Sequence, residues 1–226
     1  MEKSIIAKQE PYVHVQGSDK QIQSADNAVA TLIFAHGAGA DMDSEYLEAM
    51  TKALVAKQFN VIRFNFPYMT QRKADGKRRP PNRMPALLDE YLTHINDYDS
   101  ELPLFIGGKS MGSRVAATLA NEDKVSGVFC IGYPFHPQKK PEKLRLQPLQ
   151  DANKQILIVQ GTRDALGFED EIAHYDLSDY ITVRFVEDGD HDLKPRVKSG
   201  FTHQQHKDTA VNHINEFVQA TLKGSN

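Results

Sequence analysis

The sequence predicts an α/β protein with a mostly parallel central sheet and helices on both faces. Three observations carry that prediction. From about residue 28 onward, short apolar runs alternate with segments whose apolar residues recur at helical spacing. The runs are almost continuously apolar, as strands buried on both faces require. The connections are short, so successive elements should be neighbours joined by crossovers.

Taken in order, YVHVQG (12–17) alternates weakly and fits one strand of an N-terminal hairpin. AVATLIFA (28–35) is the first strong strand, with Thr31 its one polar residue. It enters a glycine-rich turn, HGAGA (36–40), after which Tyr46, Leu47, Met50, Ala53 and Leu54 form one helical face. NVIRFNF (60–66) is the second strand. A loop at 72–83 follows, with six basic residues against one acidic, ahead of a helix carrying Leu88, Tyr91, Leu92 and Ile95. LPLFIG (102–107) is the third strand and runs into GKSMG (108–112), then a helix with Val115, Ala116 and Leu119. SGVFCIG (126–132) is the fourth, followed by a polar, proline-rich connection at 133–153. ILIVQG (156–161) and ITVRFV (181–186) complete the set, with Phe168, Ile172 and Tyr175 marking a short helix between them. The final helix takes Thr202 as N-cap with Gln205 as its capping-box partner, and buries Ala210, Ile214, Phe217 and Val218.

Composition narrows the function classes. The 226 residues suffice for one domain, 1–226, with a core that needs no staples. The single cysteine, Cys130, excludes an internal disulfide framework and multi-cysteine zinc sites. It lies within the fourth strand and is no nucleophile candidate. Lys plus Arg is 27 against 30 for Asp plus Glu, a net charge of −3 that gives no general attraction for nucleic acid. No stretch approaches the ~18 apolar residues of a membrane span, and the N-terminus lacks a signal-peptide pattern. A cytoplasmic protein without metal or organic cofactor is the expectation.

In sheets of this kind ligands bind beyond the carboxyl ends of the strands. Gly108-Lys109-Ser110-Met111-Gly112 sits at such an end, and its G-x-S-x-G spacing lets strand and helix approach while the serine is held in a strained turn. The simpler alternative is that Ser110 only caps the helix. A base and an acid are available at two other strand ends: His191 in DGDHD (188–192) and Asp164 in QGTRD (160–164). The chain order Ser110, Asp164, His191 is the nucleophile-acid-histidine order of a hydrolase triad. Asp190 and Asp192 flank His191 too closely to approach its ring well. The turn after the first strand offers backbone N–H groups of Ala38, with Gly39 beside it, to converge with that of Met111 on a developing oxyanion. His36 should stabilise that turn by hydrogen bonding. The turn has neither G-x-G-x-x-G spacing nor a Walker lysine-serine pair.

These motifs resemble the small, minimal α/β-hydrolases related to dienelactone-hydrolase-like proteins. More closely, the chain is similar to the family named for testis-expressed protein thirty and non-specific-lethal-complex subunit three. The resemblance rests on LIFAHGAGADMDS (32–44), VIRFNFPYM (61–69), GGKSMGSRVA (107–116), GYPFHP (132–137), KPEKLR (140–145), VQGTRD (159–164) and DGDHDL (188–193). It implies a three-layer α/β-hydrolase fold with up to eight strands and no large lid. It also implies a triad on Ser110, Asp164 and His191, with Ala38 and Met111 as oxyanion donors. The implied activity is that of a serine esterase or thioesterase on a small acyl substrate. Some relatives serve in protein complexes, so a catalytically silent interaction module is the alternative. Phe66, Tyr68, Phe135 and His136 follow strands and are expected to line the pocket. Arg78 and Arg79 are the candidates for attracting an anionic substrate.

Overall fold

The computed structural model describes residues 20–224, so the weak strand expected at 12–17 lies outside the described residues. Seven strands among them form one sheet: β1 (Lys20–Gln23), β2 (Ala30–Ala35), β3 (Phe59–Phe64), β4 (Leu104–Lys109), β5 (Val125–Ile131), β6 (Ile156–Gly161) and β7 (Ile181–Val186). Their spatial order is β1-β3-β2-β4-β5-β6-β7. Only β1 runs antiparallel to its neighbour; the other pairings are parallel.

The central strands are buried on both faces, and alternate residues serve different cores. Leu32 and Phe34 of β2 point into one cluster with Leu47, Met50 and Leu54 of α1 (Glu45–Val55) and Ala210, Ile214 and Val218 of α7 (His203–Gly224). Ile33 and Ala35 point into the other. That second cluster is closed by α2 (Pro67–Asp75), α3 (Met84–Asn96), α4 (Met111–Thr118), α5 (Gln147–Gln150) and α6 (Glu169–Ile172). The expected three layers are present. The edge strand β7 alternates instead, exposing Thr182 and Arg184, the pattern of a strand with one dry face.

Chain direction reverses beside β2. The path goes from β2 outward to β3, then crosses back through α2 and α3 to β4 on the other side. The carboxyl ends of β2 and β4 therefore flank a topological switch point, the natural crevice of such a sheet.

The boundaries differ from expectation in instructive places. The second strand ends at Phe64 because the next two residues pair with the turn after β2. Asn65 Oδ1 accepts the Met42 N–H at 2.9 Å, and the Phe66 N–H donates to His36 Nε2 at 3.1 Å. Pro67 at the first helical position then starts α2. The expected loop at 72–83 is therefore helical up to Asp75, where Gly76 closes α2 in the left-handed conformation at φ 71°. The capping box of α7 is present: Thr202 N–H donates to Gln205 Oε1 at 2.7 Å and Gln205 N–H to Thr202 Oγ1 at 3.2 Å. The connection at 133–153 contains only the one-turn α5 and no large lid. Among the described residues no helix is long and apolar enough to cross a membrane.

Candidate active site

Ser110 occupies the corner between β4 and α4 with φ 55° and ψ −113°, a conformation that L-residues adopt only when their surroundings enforce it. Two glycines make the corner possible. A Cβ on Gly108 would stand 2.3 Å from the Gly112 carbonyl carbon, and one on Gly112 would stand 2.7 Å from the carbonyl oxygens of Ala35 and His36. Strand, helix and neighbouring turn pack backbone against backbone there. The Ser110 N–H still joins the ladder, donating to Ile131 O at 2.9 Å, and Ser113 Oγ donates to Ser110 O at 2.6 Å. Both ends of the residue are fixed while its hydroxyl stays accessible.

His191 Nε2 lies 2.8 Å from Ser110 Oγ, and its Nδ1 lies 2.8 Å from Asp164 Oδ2. Asp164 is fully buried. Its Oδ1 accepts the Leu166 N–H at 2.9 Å and its Oδ2 also accepts Gln160 Nε2 at 2.9 Å, so the buried charge is surrounded by donors. A carboxylate at Nδ1 places the imidazole hydrogen there and leaves the Nε2 lone pair facing the hydroxyl. The arrangement can thus accept a proton from Ser110. Asp190 and Asp192 are engaged elsewhere: Asp190 Oδ1 accepts two backbone N–H groups, and Asp192 pairs with Lys109.

The turn after β2 is oriented by His36, which is fully buried. A backbone N–H can only donate, so the bond from Phe66 makes His36 Nε2 the acceptor. His36 Nδ1 then donates to Gly37 O at 2.7 Å, and the ring is neutral. Because the trans peptide is planar, drawing Gly37 O inward turns the Ala38 N–H outward. The Tyr68 hydroxyl donates to Ala38 O at 3.0 Å and braces the next peptide. A Cβ on Gly37 would stand 3.5 Å from Ser110 Cβ, so this turn borders the serine. Neither the Ala38 nor the Met111 N–H has an acceptor among the described residues.

Several expected pocket residues prove to be supports. Phe66 and Phe135 are fully buried, and Tyr68 and His136 nearly so. Phe66 packs on His36 and Phe64 with ring centres 5.0 and 5.1 Å apart. Phe135 packs between Tyr133 and Tyr175, while His136 contacts Pro137 O and the Glu171 carboxylate. Arg78 is exposed, and the Arg79 guanidinium grips Asp75. Within the 72–83 segment the basic residues that line a cavity are Arg72 and Lys73. It measures about 270 Å³, abuts Gly39 and Ala40, and is also lined by Asp41, Ser44 and Met69. Lys73 there pairs with Asp43 at 2.5 Å.

Two residues of the site escaped the sequence reading. Gln160 Nε2 touches Asp164, Tyr133 O and Gly167 O; its only signal was a polar side chain in an apolar strand. Tyr91 lies behind the serine strand. Its hydroxyl oxygen stands 2.8 and 2.9 Å from Gly107 O and Ile33 O, with one hydrogen to share between them, and accepts the Gly107 N–H at 3.0 Å. Cys130 is buried against Ser113 O, and burial pushes its thiol well above the ordinary range. Among the described residues no group of three or more His, Cys, Asp or Glu could hold a metal ion.

A profile of the alpha/beta hydrolase domain family matches residues 28–219, and the chain belongs to that family. Solved structures repeat its fold at low identity. Est1E from Butyrivibrio proteoclasticus matches with a TM-score of 0.65 at 13% identity, covering 94% of this chain and 98% of that one. A dienelactone hydrolase from Anabaena variabilis gives 0.64 at 15% identity, over 91% and 90% of the two chains. An alpha/beta serine hydrolase without a lid, from Xanthomonas campestris, gives 0.57 at 14% identity over 90% and 87%. The fold is the three-layer α/β-hydrolase fold without a large lid insertion.

Proposed function

We propose that the chain is a serine hydrolase that cleaves small acyl esters or thioesters through an acyl-enzyme. The observation that carries the proposal is the unbroken relay from Ser110 Oγ to His191 to buried Asp164, with both links at 2.8 Å. His191 takes the hydroxyl proton as Ser110 Oγ attacks the acyl carbon. Asp164 stabilises the imidazolium that results. The negative charge that develops on the carbonyl oxygen is met by the N–H groups of Ala38 and Met111. His191 returns its proton to the leaving alcohol or thiol. It then activates a water that attacks the acyl carbon and releases Ser110. No step needs a metal or an organic cofactor.

The short 133–153 connection carries no large lid, which is compatible with small substrates or with a polymer end reached from solvent. The similar Est1E carries ferulic acid in one solved structure, a small carboxylic acid, and supports the same size class here. Turnover of p-nitrophenyl esters of increasing acyl length, set against coenzyme A thioesters, tests the reading. Short chains should be cleaved and Ser110→Ala should abolish the reaction. Folded wild-type protein that cleaves none of them would favour an interaction module on the same fold.

A further inference from the structure

Lys109, immediately before the serine, is nearly buried, and its amine ends on a carboxylate. Its Nζ lies 3.1 Å from Asp192 Oδ1, a carboxylate that is itself 68% exposed. Burial pushes the lysine below its ordinary range, while Asp192 and, from farther away, Asp164 and Asp190 oppose that shift. The residue that follows β5 shows where this charge sits. Gly132 has φ 60°, and a Cβ there would stand 3.3 Å from His191 Nδ1 and 3.3 Å from Lys109 Nζ. The two nitrogens are therefore less than about 7 Å apart.

The loop bearing His191 is tied down mostly from β6 and α7. Arg163 donates to Asp188 O, His203 Nε2 contacts Asp192 O at 2.9 Å, and His206 Nδ1 contacts Leu193 O at 2.8 Å. Among the described residues, Lys109–Asp192 is the side-chain tie that joins this loop to β4, apart from the Ser110–His191 contact itself. It links the residue before the serine to the residue after the histidine.

The charges around the imidazole are lopsided without it. Asp164 faces Nδ1 from the end of β6, and Asp190 and Asp192 flank His191 in sequence. His203 from α7 touches the Asp192 backbone, and Arg163 is engaged with Asp188. The Lys109 amine thus stands against the Asp164 carboxylate at the ring and those of Asp190 and Asp192 beside it in sequence.

We propose that Lys109 is a positioning residue. It locks the His191 loop against the serine strand and offsets the surrounding carboxylates, keeping the imidazole available as a base near neutral pH. The proposal rests on the serine-hydrolase reading for its purpose, but its electrostatic content can be measured without turnover.

The experiment follows the His191 imidazole by NMR as a function of pH, with its signal assigned by its loss in His191→Gln. Lys109→Met should move the titration midpoint upward by about half a pH unit or more, the size expected of a unit charge at that range. Asp192→Asn removes an exposed carboxylate and with it the partner of the Lys109 amine; it should move the midpoint downward. The double variant should return close to wild type. The acid limb of kcat/KM should follow the same order, whereas a purely structural tie would lower the plateau and leave the limb in place. Midpoints that stay together in wild type and Asp192→Asn, or in any folded Lys109→Met, overturn the proposal. Midpoints that move as stated in a protein that cleaves no ester sustain the role of Lys109 and reject the hydrolase reading instead.

Discussion

Asp164→Asn probes the buried acid with almost no change of volume. The wild-type carboxylate only accepts, from Leu166 N–H at 2.9 Å on Oδ1 and from Gln160 Nε2 at 2.9 Å and His191 Nδ1 at 2.8 Å on Oδ2. An asparagine offers one acceptor and one double donor at the same two positions. With its nitrogen in place of Oδ2, it faces the Gln160 amide and obliges His191 to present a lone pair at Nδ1. The imidazole hydrogen then sits on Nε2, and the ring cannot take the Ser110 proton. With the amide flipped, its nitrogen opposes the Leu166 N–H in a site without solvent. Either orientation sets donor against donor, a cost of about 1–3 kcal/mol. Loss of the correct tautomer alone is worth about 10⁴-fold in kcat in a related triad, close to ~5 kcal/mol of activation free energy. We therefore expect kcat on a short p-nitrophenyl ester to fall by about 10³–10⁴-fold, with KM changed by less than about three-fold. The melting temperature should drop by about 4–8 °C for a loss near 2 kcal/mol. A folded variant retaining more than a tenth of wild-type kcat would refute the assignment of Asp164.

Three further outcomes follow from other contacts. Tyr91→Phe removes the buried hydroxyl shared by Gly107 and Ile33, so thermal or urea unfolding should show a loss of about 1–3 kcal/mol; a loss below about 0.5 kcal/mol would contradict it. Tyr68→Phe removes the hydroxyl that reaches Gly37 O and Ala38 O on either side of the proposed donor Ala38 N–H, and should reduce kcat by about ten-fold as that turn loses its brace. Asp188 is held at about 2 by Arg196, whose Nε donates to it at 2.6 Å, with Arg163 at 3.1 Å adding to the effect. Its ordinary value is near ~3.9, so its contribution is complete above that pH and is lost as pH falls through about 2. The melting-temperature gap between wild type and Asp188→Asn should shrink over that range, and a constant gap would exclude the linkage.

The strands and the three chemical groups were legible because their signals are local. A doubly buried strand must be apolar throughout, and a sharp strand-to-helix corner requires small residues at fixed spacing around Ser110. Asp164 and His191 stood out because each lies within five residues of a strand end. Which way a chain turns after a strand is not local, and the pocket expectations failed there. Phe66 and Tyr68 go inward because Asn65 and Phe66 leave the ladder to hold the turn at His36. The charge of the 72–83 segment was legible too, but its geometry was not. Continuation of α2 to Asp75 directs Arg72 and Lys73 to the cavity and leaves Arg79 to pair with Asp75 beyond Gly76. The Lys109–Asp192 pair joins positions far apart in sequence, and neither residue type carries a spacing signal by itself.

The central claim is that Ser110 is an activated nucleophile, and covalent trapping tests it most directly. Native protein is treated with a fluorophosphonate, digested, and the adduct located by mass spectrometry. The arrangement of Ser110, His191 and Asp164 predicts one adduct, on the peptide containing Ser110, absent after heat denaturation and absent in His191→Gln. A folded protein that remains unlabelled, or carries its adduct on another residue, contradicts it.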